Sequence, residues 1–322
     1  MSIDLTDPIF SNEDTARKHF EALHWPNGPA CPHCGVINEA TELKGEAHRA
    51  GLYKCRACSE QFSVTIGSVM ESSHLPLTKW AIAFHLMAAS KKGVSAHQLM
   101  RVLGIGSYRT AWFLAHRVRE AMADRDPEPL GGKGKTVEID ETFIGKPDQT
   151  FVSGKGWQGK RGTATKRKVL TMVERGGRAV SVKVEDLTVE TLKAVIGKHV
   201  VLDSVLNTDE AQHYKALGKN FEAHDAVNHS AEEYVRREGA KLTTTNTIEG
   251  FFGVFKRGMT GVYQHCGENH LQAYLNEFDF RYSNRSALGA EDAERDSHVI
   301  RGAVGKRLTY RSPHSMPQSR AI

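Results

Sequence analysis

Between residues 77 and 122 apolar side chains recur every three or four positions, the period of a half-buried helix. "LTKWAIAFHLMAASKKG" predicts a helix capped at Thr78 and closed at Gly93 after a basic last turn. "SAHQLMRVLGIGSYRTAWFLAHRVREAMA" predicts a helix, a tight turn at Gly104–Gly106 and a longer helix. After "DRDPEPLGGKGK", a Pro- and Gly-rich linker over 124–135, the period shortens to two. "KTVEIDETFIG" alternates as a strand, with Val137 and Ile139 on one face and Glu138, Asp140 and Thr142 on the other. "KVLTMVER" and "RAVSVKVED" extend it into an antiparallel meander around the turn "RGGR". "LTVETLKAVIGK" reads as a helix, and "HVVLDSVLNTDEAQHYKAL" as a strand ending in Asp209 followed by a helix. In "TTTNTIEGFFGVFKRG", residues 243–258, Asn246 can cap a helix and Glu249 can close the capping box. Glu249 and Lys256 are seven residues apart and share a face of that helix. In "HLQAYLNEFDFRYSNR", Leu271, Tyr274, Leu275 and Phe278 follow a helical period and read as core.

These elements predict a multidomain α/β chain: an N-terminal helix and ribbon over 1–75, a helical domain over 76–123, the linker 124–135, a mixed α/β domain over 136–286 and a basic, flexible tail over 287–322. No apolar run approaches the roughly 20 residues that cross a bilayer. "MSIDLTDPIF" lacks a basic-then-apolar leader, so the expected compartment is the cytoplasm, where thiols stay reduced.

The net charge of +5 is unevenly spread. Residues 1–70 hold nine acidic and six basic side chains, residues 76–123 seven basic and one acidic, and residues 155–183 nine basic and one acidic. Two basic segments suit a long polyanion, and Lys306, Arg307, Arg311 and Arg320 in the tail could lie along one. In the helical domain Ser107, Tyr108 and Arg109 open the second helix of a helix-turn-helix-like pair, where base contacts are made, while Trp112, Leu114 and Val118 read as core.

Cys31, Cys34, Cys55 and Cys58 form C-x2-C-x20-C-x2-C. Two knuckles of this kind aim four thiolates at one point and complete a tetrahedral zinc shell with no open position, so a single structural zinc is expected. His33 reads as a surface residue and Cys266 as an isolated small hydrophobe.

Asp140 and Asp209 lie at predicted strand positions, and Glu249 shares a helix face with Lys256. Their rivals are Glu138 on the face of Asp140, Glu141 on the opposite face, and Asp203 deeper in the strand before Asp209. Asp209 is preferred because it ends its strand, where sheets of this class meet their ligands. His224 and His229 in "HDAVNHS" could line the same place.

The chain resembles the DDE-type insertion-sequence transposases that carry an N-terminal zinc ribbon. The matching stretches are "CPHCG…YKCRAC", "WAIAFHLM…KKGVSAHQLMRVLGI…TAWFLAHRVREAM", "VEIDETFIG", "TDEAQHY", "VNHS" and "TNTIEGFFGVFKRG…HLQAYLNEFDFRYSNR", from about residue 10 to residue 286. The resemblance implies a ribonuclease-H-like catalytic domain in which Asp140, Asp209 and Glu249 hold two Mg2+ or Mn2+ ions and Lys256 is the basic residue seven positions after the Glu. Some relatives use Asn at the third position, which leaves Asn246 as an alternative ligand. Relatives often carry His two residues before that Asn, where this chain has Thr244. The resemblance further implies a bacterial, nucleoid-associated protein that binds terminal inverted repeats and target DNA, cuts and joins strands, and works as a dimer or larger assembly. The alternatives are a zinc-ribbon DNA-binding regulator with an inactive catalytic domain, and a nuclease that cuts without joining.

Overall fold

A computed structural model describes residues 4–309 except 146–148, 155, 160–162, 164, 165, 228–234 and 239–240. The chain divides into two compact units: Met1–Met87 with Ser95–Met122 and Asp296–Ile322, and Ala88–Val94 with Ala123–Arg295.

The first unit opens with helix α1 (Glu13–His24), capped by the Asn12 side chain on the Thr15 amide at 2.9 Å. Strands β1 (Ala40–Glu42), β2 (Tyr53–Cys55) and β3 (Gln61–Phe62) follow as an antiparallel sheet. Its small core packs Trp25, Tyr53 and Phe62 beside Cys31 and Cys55. Helix α2 (Leu77–Ala89) starts one residue before the Thr78 cap expected from sequence. Its first amides, of Leu77 and Thr78, donate instead to the Glu13 carboxylate at 2.7 and 3.1 Å. A carboxylate suits that end because the orphan N–H groups and the helix dipole both favour negative charge. Helix α3 (Ala96–Val102) is capped by Ser95, and Gly104 takes a left-handed φ of 57° in the turn to α4 (Tyr108–Met122). Leu114 and Val118 are buried, while Ser107, Tyr108 and Arg109 are exposed.

The second unit is a mixed α/β layer. In chain order it contains β4 (Thr136–Ile144), β5 (Gln149–Val152), β6 (Gly156–Gly159), β7 (Arg167–Glu174), β8 (Ala179–Val184), α5 (Val189–His199), β9 (Val205–Thr208), α6 (Gln212–Gly218), β10 (Ala223–Ala226), β11 (Val235–Glu238), β12 (Lys241–Thr244), α7 (Asn246–Gly258) and α8 (Leu271–Ser283). Five of the strands form one sheet in the order β10-β9-β4-β7-β8. The β4, β7 and β8 neighbours are antiparallel, and β9 is parallel to both β4 and β10. The alternation of β4 sorts its side chains: Val137 and Ile139 join a core with Leu192 and Ile196 of α5 and Tyr214 of α6. The opposite face, with Val169, Val173 and Ala179, packs on Ile248, Phe251, Phe252 and Phe255 of α7 and Tyr274, Leu275 and Phe278 of α8.

Edge strand β8 is covered by side chains of α8. The Ser181 amide and hydroxyl donate to Asp279 at 2.7 Å each, the Lys183 amide to Gln272 at 2.9 Å, and the Ala179 amide to Ser283 at 3.2 Å. The edge is thereby closed to other strands. Burial pushes the Asp279 carboxyl up to about 7, against the pull of its two bonds from Ser181.

Three sequence expectations need correction. The predicted linker is anchored: Leu130 is fully buried, its amide donates to the His199 carbonyl and its own carbonyl accepts from Val201. Val200 to Asp203 do not extend the strand before Asp209, because α5 runs to His199 and the chain turns before β9; Asp203 is exposed in that turn. The tail does not begin at 287 as a flexible segment. Asp292–Arg301 forms helix α9, with Val299, Ile300 and Asp296 buried, and Asp296 bonds His85 of α2 at 2.7 Å. Arg311 and Arg320 lie outside the described residues.

Candidate metal centres

The two knuckles bring Cys31, Cys34, Cys55 and Cys58 together, with all four sulfurs within 4.8 Å of one another. The Cys31–Cys58 and Cys34–Cys55 sulfurs are each 3.7 Å apart. A tetrahedron with metal–sulfur bonds of about 2.3 Å has edges of about 3.8 Å, so the donor set and its spacing fit one structural zinc. Cys55 is lowered to about 7, chiefly by the Cys58 amide, which favours the thiolate that a metal needs. Among the described residues this is the group of metal-type side chains closed so tightly; the carboxylates below stand further apart.

The second cluster is built on the middle of the sheet. Glu138 of β4 pairs with Asn207 of β9 in parallel register. The pairing ends there; Asp140 lies two residues further along β4, and Asp209 two residues on from Asn207, just past the end of β9. Glu138 is fully buried on the face that Asp140 shares, and it holds the start of α7. Its carboxylate accepts from the Ile248 amide at 3.0 Å, the Thr247 hydroxyl at 2.8 Å and the Arg175 guanidinium at 2.9 Å. Arg175 and the buried Asn207 side chain both donate to the Thr244 carbonyl at 3.1 Å. Glu249 therefore stands on a helical turn fastened to the strand of Asp140, two residues away along that strand.

The cap of α7 departs from the sequence expectation. Asn246 is the first helical residue, Thr245 precedes it without a side-chain cap bond, and Glu138 supplies the carboxylate for the first turn. Glu249 is thus released from a capping box; it accepts from the Thr245 hydroxyl at 3.2 Å and is exposed. The exposed Asn246 side chain lies on the same turn. Lys256 is exposed two turns on, with its ammonium 5.6 Å from the Phe252 ring centre.

The Asp140 carboxyl lies close enough to Asp209 and Glu249 for their charges to act on it. Burial raises the Asp140 carboxyl to about 7, and the charges of Glu141, Asp209 and Glu249 push the same way. The Glu141 amide, donating to Asp140 at 2.7 Å, pulls against them. Asp209 accepts from the Ala211 amide at 3.0 Å in the turn before α6.

The rivals have other work. Glu141 faces the opposite side of the sheet and accepts from the Tyr214 hydroxyl at 2.6 Å. Burial, and then the Glu141 charge, holds that hydroxyl well above its usual range. His224 bonds the Thr208 hydroxyl on the adjacent strand at 2.8 Å, and burial lowers its imidazole. His229 lies outside the described residues. Glu138 was legible only as a neighbour of Asp140 on the polar face of its strand; its burial was not, because its partners are 37 and 109 residues away.

Comparison with known proteins gives matches to two domains. Residues 129–283 match an ISXO2-like transposase domain, and residues 11–61 match a transposase zinc-ribbon domain. An uncharacterised protein in transposable element ISH50 of Halobacterium salinarum is 24% identical over 282 residues, covering 84% of this chain and 91% of that protein. The Drosophila P element transposase strand transfer complex matches at 10% identity over 73% of this chain and 66% of that one, with a TM-score of 0.27. That last likeness is too slight to carry any argument. From the two domain matches, in this order on one chain, the protein belongs to the insertion-sequence transposases that join a zinc ribbon to an ISXO2-like transposase domain.

Proposed function

We propose that the chain binds the terminal inverted repeats of an insertion sequence and catalyses metal-dependent cleavage and joining of DNA strands. The observation that supports this reading is the tie of Glu138 to Asn207 through the β4–β9 pairing and to the Ile248 amide of α7, with Asp140, Asp209 and Glu249 each one or two residues further along. The strand order, an antiparallel trio continued by two parallel strands, supports a ribonuclease-H-like core. The donor set is all oxygen, as hard divalent cations require. Asp140, Asp209 and Glu249 would hold a pair of Mg2+ or Mn2+ ions, with Asn246 as the alternative to Glu249 at the third position. Such ions, when bound, activate the attacking hydroxyl or water and stabilise the leaving 3′ oxygen.

The chain's own groups do the rest. Lys256, on the stripe of Glu249, holds a phosphate of the strand beside the scissile bond. Ser107, Tyr108 and Arg109, exposed at the head of α4, support the helix-turn-helix reading and meet the repeat together with the ribbon. The functional division is ribbon over 1–75, DNA-binding helices over 76–123 and catalytic domain over 136–286. Two element ends must be held to be joined, so the working form is a dimer or larger on DNA, at the bacterial nucleoid.

A pre-cleaved end fragment incubated with plasmid and Mn2+ tests the reading. Joined products are expected. Cut but unjoined plasmid identifies a nuclease, and binding without either product identifies a DNA-binding regulator. Folded Asp140→Ala, Asp209→Ala and Glu249→Ala proteins are each expected to lose joining by more than a thousandfold; retained activity in them overturns the site.

A further inference from the structure

A second feature of α7 lies on a different flank. Asn246, Gly250 and Val254 follow one another by single turns, roughly a third of a turn round the helix from Glu249 and Lys256. They line a cavity of about 660 Å³ within the second unit, whose other walls include Phe251, Tyr282 and the cations Lys91, Arg281, Arg285 and Arg295. No carboxylate lines it. Arg281 and Arg295 are balanced from outside by Glu277 and Asp292. Arg285 and Lys91 have no carboxylate partner among the described residues; Arg285 donates to the carbonyls of Gly177 and Tyr282 and stacks over the Tyr282 ring at 4.0 Å.

We infer that this cavity receives one nucleotide, its base against Phe251 and Tyr282 and its phosphate at Arg285 and Lys91. The chemistry points to that class. Aromatic walls take a flat base of any identity, a guanidinium in an acid-free wall takes a phosphate, and the volume falls within the range of small-ligand sites. Two sources share this chemistry: a free nucleotide, and an unpaired nucleotide on a DNA strand. The inference does not rest on the carboxylate set.

Gly250 provides the test. A Cβ there meets nothing within 4 Å and the helical backbone accepts a side chain, so Gly250→Phe puts a ring at the cavity wall. The full-length protein is titrated with three probes: 2-aminopurine deoxyribonucleoside monophosphate, a duplex ending in one unpaired 2-aminopurine nucleotide, and the blunt duplex. Quenching of the free nucleotide identifies a diffusible ligand; quenching of the overhang alone identifies a strand end. In either case Gly250→Phe weakens the quenched probe at least about tenfold, as loss of one stacked base requires. It leaves blunt-duplex affinity and thermal melting unchanged. Asp140→Ala keeps the binding, which separates this test from that of the metal site. The inference is overturned if neither probe is quenched, or if a folded Gly250→Phe protein binds both as tightly as the parent.

Discussion

At the scale of single residues, clustered and buried charge does two distinct jobs. The four cysteines form a closed shell, and each thiolate is indispensable because a three-ligand zinc site no longer holds a structural metal firmly. Cys55→Ser is expected to reduce the zinc content of the purified protein from one per chain to near zero and to remove the cooperative melting of the ribbon. Elemental analysis with calorimetry reads both. Glu138 works differently: it is fully buried and satisfies a guanidinium, a hydroxyl and a helix amide at once. Glu138→Ala strands Arg175 and the first turn of α7, and is expected to cost about 3–5 kcal/mol in urea unfolding. Glu138→Gln, which keeps an acceptor for the Ile248 amide, is expected to cost clearly less.

Among elements, the recurring device is a helix fastened by side chains from far along the chain. Glu13 caps α2 and Glu138 caps α7, in each case displacing a cap proposed from neighbouring residues, Thr78 and Asn246. Local sequence exposes local capping candidates only, so these two substitutions were invisible to it. The alternation of 136–144 and the cysteine spacing were legible because each follows from a short-range repeat. Strand β10 and the buried Leu130 in the middle of the linker were not, since their partners β9 and Val200 lie outside any local window. The α8 cover on β8 left a readable trace: Gln272, Asp279 and Ser283 recur at helical spacing among apolar positions. That cover is sensitive to pH. A carboxyl raised from its ordinary value to about 7 stabilises the fold at low pH, and that contribution is lost as pH rises through about 7. Asp279→Asn is expected to flatten stability between pH 4 and 7 relative to the parent, which denaturation midpoints across that window measure.

For the whole molecule, the family assignment rests on a ribbon and a transposase domain following one another in one chain. Composition contributed the uneven charge, which no single motif carries. The basic segments around α3 and α4 predict steep loss of DNA affinity with salt, since each neutralised phosphate releases counterions. Arg109→Ala is expected to lower repeat binding several-fold and to reduce the salt slope by about one, as fluorescence anisotropy at several ionic strengths would record. From Asp296 on, the terminal helix α9 belongs to the first unit, although its sequence read as tail, and Asp296 finds its partner on α2.

The central claim is that Asp140, Asp209 and Glu249 share divalent cations, and direct counting of bound Mn2+ tests it most simply. Electron paramagnetic resonance on the zinc-loaded full-length protein is expected to register two Mn2+ per chain, falling to one or none in each of the three alanine variants while melting stays intact. A parent protein that takes up no Mn2+ beyond background, or variants that bind two ions as the parent does, would contradict it.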